Sequence, residues 1–185
     1  VGNVRLYGST SGYTELAPPA VAPDGVLSLP SGTGTLLTAE GGKVLQIVRA
    51  TDSTNRSTTS TTAVDVTGMA VTITPQKSES AIIVVASFYQ SNSASTDNTE
   101  SRYQITDASN NPISGAEETQ SGTTGLTGTG TRTFRSPIKM WGYATPATTG
   151  AVTYKLRFKS SDASTTSTVA NAVATGQMYA IEVSA

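Results

Sequence analysis

Residues 64–89 read VDVTGMAVTITPQKSESAIIVVASFY, and the spacing within them decides the fold class. Val64 and Val66, then Val71 and Ile73, recur at every second position with Asp, Thr and Ala between them. That is the period of a strand whose side chains alternate between two faces. Pro75 removes a backbone donor, and residues 76–80 read as a polar turn. Ile82, Ile83, Val84 and Val85 follow as a continuous β-branched run, the pattern of a strand buried on both faces. This is the least polar part of the chain, so the core is expected here.

The chain has 185 residues, enough for one domain with a short appendage. Only 14% of them are charged and the net charge is -1. That leaves no electrostatic footprint for a nucleic-acid backbone or an anionic membrane. No run approaches the roughly 20 apolar residues that span a bilayer, and no secretory-type segment is expected near Val1. Cysteine and histidine are both absent. Disulfides, thiolate metal sites, thiol nucleophiles, imidazole bases and His-ligated zinc are thereby excluded. An enzyme would have to work with carboxylates, Lys or Tyr alone. The 32 Thr, 23 Ser and 17 Gly are interleaved with periodic Val, Ile, Leu, Tyr and Phe, the composition of a β protein with long polar loops.

Residues 1–42 are a different text. Val4 and Leu6 share one face of a short strand and Leu27 and Leu29 of another; Leu16, Val26, Leu36 and Leu37 add to a thin apolar content. Pro18, Pro19, Pro23 and Pro30 forbid helix. A segment this poor in apolar residues cannot bury a core of its own. Two readings stand: an arm of short strands wound around identical neighbours or laid on another protein, and an arm packed along its own domain. Glu40-Gly41-Gly42 marks the boundary, and 43–185 is the main domain.

There, strands are expected at Lys43–Ala50, Arg102–Thr106, Thr131–Tyr143, Ala151–Lys159, Val169–Ala174 and Gln177–Ser184, with a weak one inside Thr51–Thr62. Gln90–Thr99 and Asp162–Thr168 read as loops, as does a long excursion from Ile113 to Thr131. Pro137 points to a sheet edge or a bulge. No sustained helical period occurs. About eight to ten strands at this length make an all-β, antiparallel sandwich or jelly roll preceded by the extended arm.

The stretch 64–89 resembles the core hairpin of a domain common at the C-termini of bacteriophage tail-fibre and virion structural proteins, especially those of marine phages and cyanophages. PATTGAVTYKLRFKSSD (146–162) and MYAIEVSA (178–185) are similar to its last strands, and GSTSGYTELAPPAVAPDGVLSLPSGTGTLL (8–37) to the connecting module before it. The resemblance implies a trimeric jelly roll of the complement/tumour-necrosis-factor kind on the virion surface. There it would serve as a fibre or spike component or a capsid decoration protein, with the arm holding other virion proteins. An alternative is a receptor- or carbohydrate-binding tip. No catalytic residue and no cofactor come with the family.

The candidate residues follow from this. Trp141, Tyr143, Tyr154 and Phe158 are aromatics expected in the core or at a trimer interface, with a glycan-stacking platform as the rival reading for Trp141 and Tyr143. Ser91, Asn92, Asn98, Thr123, Thr124 and Leu126 are expected on exposed loops available to a host glycan. Lys155, Arg157 and Lys159 alternate on one strand face, with Arg135 and Lys139 expected near them, as a solvated face or a polar subunit contact. Glu117 and Glu118 are adjacent, and nothing pairs them across a sugar as a glycosidase requires. The run 122–130, GTTGLTGTG, lacks the lysine and helix of a phosphate loop. Asp107–Asn111 lacks the rest of a Ca²⁺ loop, and no metal site is expected. Removing residues 1–42 is predicted to leave a folded domain by circular dichroism while weakening assembly or attachment; an unfolded product would refute the boundary.

Overall fold

A computed structural model describes residues 4–7, 13–16, 43–95, 99–123 and 130–184. The chain divides into two units, Val1–Leu37 and Thr38–Ala185. In the first, β1 (Val4–Tyr7) and β2 (Tyr13–Leu16) form an antiparallel pair with Val4 opposite Leu16 and Tyr7 opposite Tyr13. The remaining arm residues named above, Val26, Leu27, Leu29, Leu36 and Leu37, lie outside the described residues.

The second unit is an all-β sandwich. Its strands are β3 (Val44–Asp52), β4 (Arg56–Thr58), β5 (Val64–Ile73), β6 (Ala81–Ala94), β7 (Thr99–Thr106), β8 (Thr119–Thr123), β9 (Arg132–Ala144), β10 (Val152–Ser160), β11 (Thr165–Val169) and β12 (Gly176–Val183). One antiparallel sheet runs β5-β10-β7-β8. The other is built around β6, which pairs with β9 along one edge, and with β12 and then β11 along the other. Outside these lie β3 and β4, paired with β12 and β11. In effect β3/β4 and β11/β12 are two strands, each interrupted at the same level. From β5 to β12 the chain crosses from one sheet to the other at every step except the β7–β8 pair and the two halves β11 and β12.

The core lies between the sheets and holds Val66, Met69, Val71 and Ile73 of β5 together with Ile82, Val84 and Phe88 of β6, Tyr103 and Ile105 of β7, Tyr154, Leu156 and Phe158 of β10, and Met178 of β12. The spacing-two reading of 64–73 holds with one phase change. Burial falls on Val66, then on Met69, Val71 and Ile73. Gly68, at φ +91, sits in the register irregularity opposite Lys155 and Arg157 and shifts the phase by one residue. Its positive φ favours glycine, and a Cβ there would meet Asp52 Oδ1 at 2.7 Å and force the Asp52 side chain to shift.

Four sequence expectations are corrected. Ile82–Val85 is not buried on both faces: Ile82 and Val84 are fully buried, whereas Ile83 and Val85 are half-covered. Within the stretch Gln90–Thr99, residues 90–94 are strand rather than loop. β6 continues to Ala94, because the inward Gln90 and Asn92 find hydrogen-bond partners that replace apolar contact. Val169–Ala174 is mostly a turn, and the strand before it is Thr165–Val169. The excursion from Ile113 to Thr131 carries β8, and Ser114 bridges to Tyr143.

At one end of the sandwich a buried carboxylate fixes the β5–β6 turn. Glu182, fully buried, accepts from the amides of Gln76 (2.8 Å) and Lys77 (3.2 Å) through Oε1, and from Gln46 Nε2 (2.6 Å) through Oε2. Desolvation pulls its pKa up, but these bonds outweigh it and hold the carboxyl below its ordinary value. The stability it supplies is therefore complete above the unfolded-state pKa and is lost as pH falls through the lower folded one. Glu182→Gln is predicted to cost about 1.5–3 kcal/mol at neutral pH. In urea melts, the gap from the parent should shrink below roughly pH 4; a gap independent of pH would refute the clamp.

Candidate assembly face

The two sheets present opposite chemistry to the outside. Across the outer face of β5-β10-β7-β8 runs a ladder of ion pairs. Asp65 accepts from Lys155 Nζ (3.0 Å) and Arg157 Nε (2.8 Å). Glu118 accepts from Lys159 Nζ (2.8 Å) and Arg102 Nη1 (3.0 Å), and Arg102 Nε reaches Glu100 (3.1 Å). Partial burial pulls the Asp65 carboxyl up, but Lys155 and Arg157 outweigh it and hold it below the usual carboxylate value. Lys159 chiefly does the same for Glu118. The alternating Lys155, Arg157 and Lys159 are thus neutralised pair by pair, and this face suits water. Arg135 and Lys139 do not join it: they stand on β9 in the other sheet, where Arg135 donates to Ser91 Oγ at 3.3 Å.

The outer face of the other sheet is apolar and aromatic. Register places its residues in rows across four strands. Tyr143 lies beside Ile83, Ile83 beside Ile181, and Ile181 beside Ile47. In the next row Trp141, Val85, Tyr179 and Arg49 are neighbours in the same order. Trp141 is 61% exposed, Ile47 60%, Val44 54% and Tyr143 52%. Trp141 and Tyr143 alternate with buried Met140 and Gly142 on β9, whereas Ile47 on β3 alternates with half-buried Gln46 and Val48. The Arg49 guanidinium lies 5.8 Å from the centre of the Tyr179 ring, a distance at which the ring's quadrupole attracts it. The third row, Lys139, Ser87, Gln177 and Thr51, is polar and marks the border of the patch.

The four aromatics singled out in the sequence therefore divide. Tyr154 and Phe158 are buried between the sheets. Burial, and then the Asp107 charge, push the Tyr154 hydroxyl up to about 12. Trp141 and Tyr143 stand on the open face. The expected glycan loops fare differently. Asn92 is fully buried and Ser91 is half-buried, both within β6, so neither is on an exposed loop. Thr123 ends β8. Asn98, Thr124 and Leu126 lie outside the described residues. Glu117 is exposed, and Glu118 is held in its ion pairs. Among the described residues no three Asp or Glu side chains are grouped to hold a metal ion. Ile47, Ile83, Tyr179 and Ile181 were not legible as a site from sequence, because they become one surface only through strand register.

No protein-family model matches the chain, and no curated protein matches it significantly.

Proposed function

We propose that the protein is a non-enzymatic structural component of a virion surface. In this reading a jelly-roll domain assembles as a homotrimer, as fibre, spike or capsid decoration, and the N-terminal arm contacts other virion proteins. The observation that carries it is the contrast between the two outer faces. An ion-paired face faces water, whereas a sheet face bearing Trp141, Tyr143, Ile47 and Val44 in the open is the composition of the buried centre of an interface. The alternation of successive strands between the sheets supports the jelly-roll reading. The absence of His and Cys, with Asp65, Glu118 and Glu182 engaged in ion pairs or backbone clamps, supports a non-enzymatic role.

The charges favour a ring over a pair. The apolar face is flanked by Arg49, Arg135 and Lys139, and no Asp or Glu points outward from that sheet among the described residues. A twofold contact sets the same patch against itself and brings like charges together. A threefold contact sets it against a different surface of the next copy and avoids the clash.

Sedimentation equilibrium is predicted to give a mass three times that of the 19.0 kDa chain. Trp141→Asp with Ile47→Asp is predicted to give a folded monomer, since both side chains lie outside the core. A monomeric parent protein would overturn the trimer, and a trimeric double variant would overturn the assignment of this face. In a reconstruction of the virion, the chain is predicted at threefold positions on the surface.

A further inference from the structure

Pro137 stands in the middle of β9, where a proline marks either a sheet edge or a bulge. The register decides for the edge. β9 pairs with β6 residue for residue from Arg132 to Ala144 without a shift, so there is no bulge. Among the described residues, the only ladder contact on its other side is an isolated bridge from Ser114 to Tyr143. There the Tyr143 amide donates to the Ser114 carbonyl at 2.8 Å, so it points away from β6. Amides of an antiparallel strand turn alternately to its two sides. Those of Thr133, Arg135, Lys139 and Trp141 therefore face the free side, and position 137 shares their phase. The opposite strand agrees: Tyr89, across from Pro137, gives its carbonyl to the Ala170 amide (2.7 Å) rather than to β9. The missing N–H of Pro137 thus costs the β6–β9 ladder nothing and removes a donor from the free edge alone.

The other free edges of the sandwich are short or broken. The β3/β4 edge is interrupted between Asp52 and Arg56, β8 runs only from Thr119 to Thr123, and β5 carries the irregularity at Gly68. β9 is long, unbroken and rich in strand formers such as Thr133, Phe134, Ile138 and Trp141. It is the edge that a strand of another molecule would extend. A second copy of the chain presents the same row of groups. Two β9 edges set antiparallel about a twofold axis at position 137 would match outward amides with outward carbonyls. In that arrangement Pro137 meets Pro137, and Arg135 faces Lys139 of the second copy. The central donor is missing, and like charges stand opposite on either side of it. We propose that β9 is a latent self-association edge held closed by Pro137, and that a second copy of this chain adds to it strand to strand once that residue is replaced.

The rest of β9 is ready for such pairing. Ile138 and Met140 enter the core, and Ser136 Oγ accepts from Gln90 Nε2 (3.0 Å), so the strand is already ordered and an added partner pays little backbone entropy on this side. What stops it is the interruption. An incoming strand finds Thr133 and Arg135 before the proline and Lys139 and Trp141 after it, and neither run alone is long enough to hold. The edge acts in the plane of the sheet, whereas the aromatic face lies above that plane. The inference therefore stands apart from assembly through Trp141 and Tyr143.

The test is Pro137→Thr in the full chain, compared with the parent by sedimentation velocity over one concentration series. Threonine restores the outward donor, favours strands and adds no large apolar surface. Pro137 is exposed, so the fold is expected to be retained by circular dichroism. At the upper end of the series the variant is expected to reach about twice the parent's mass or more, with slower amide exchange in residues 132–141. Pro137→Val restores the same donor and is expected to behave alike. Adding Lys139→Glu to Pro137→Thr sets Glu against Arg135 of the second copy and is expected to tighten the association about tenfold. Adding Lys139→Pro instead moves the gap to the next outward position and is expected to return the mass to the parent's. Threonine and valine variants that keep the parent's mass at every concentration overturn the proposal. Association that leaves exchange in residues 132–141 unchanged, or that survives Lys139→Pro, overturns it equally.

Discussion

The structure depends on β6, which has fourteen residues in one unbroken strand. It is flanked on both sides along its length, by β9 on one edge and by β12 and β11 on the other. Every second side chain must therefore enter the space between the sheets. That constraint places Ile82, Val84, Ala86 and Phe88 in the apolar half and Gln90 and Asn92 in the polar half. It equally forces Ile83 and Val85 to the outside, where they join Trp141, Tyr143, Tyr179 and Ile181. One strand thus carries the core, the polar layer and the centre of the proposed assembly face.

The balance between these parts is physical rather than compositional. The apolar half gains stability from area removed from water. The polar half gains little net energy from each bond, but an unmatched partner there would cost a full desolvation penalty. This makes the Gln90–Asn92 end intolerant of rearrangement and therefore rigid. The Glu182 clamp does the same at the opposite end, where the β5–β6 turn folds over the sandwich. Both ends are pinned by hydrogen bonds, and the middle is held by packing.

Much of the fold was legible from alternation. Spacing of two in the sequence marks Val152, Tyr154, Leu156 and Phe158 as one face of β10, and Tyr179, Ile181 and Val183 as one face of the last strand. For β10 that face is the inner one, with Val152 at the margin of the core. For the last strand the apolar face is the outer one, and Met178, Ala180 and the buried Glu182 point inward. Apolar periodicity identifies a face but not which side of the sheet it covers, and the Glu182 carboxylate hides the inward face because its amide partners lie 105 to 136 positions away. The polar stretch from Gln90 to Ala94 read as a loop for the same reason: its partners Ser121 and Ser136 come from later strands. Trp141 and Tyr143 were recognised as interface candidates, but the rows that complete their surface come from register, which no single segment encodes.

The central claim is that the aromatic sheet face is covered by other copies of the chain. Trp141 is the sole tryptophan and is 61% exposed in a single chain, so its fluorescence reports on that face alone. Acrylamide quenching measured across a dilution series tests the claim most directly. The account predicts a blue-shifted, quencher-protected tryptophan at concentrations where the protein is assembled, becoming red-shifted and fully quenchable as the assembly dissociates. A tryptophan equally accessible to acrylamide at every concentration, in a protein that sediments as an oligomer throughout, would contradict it.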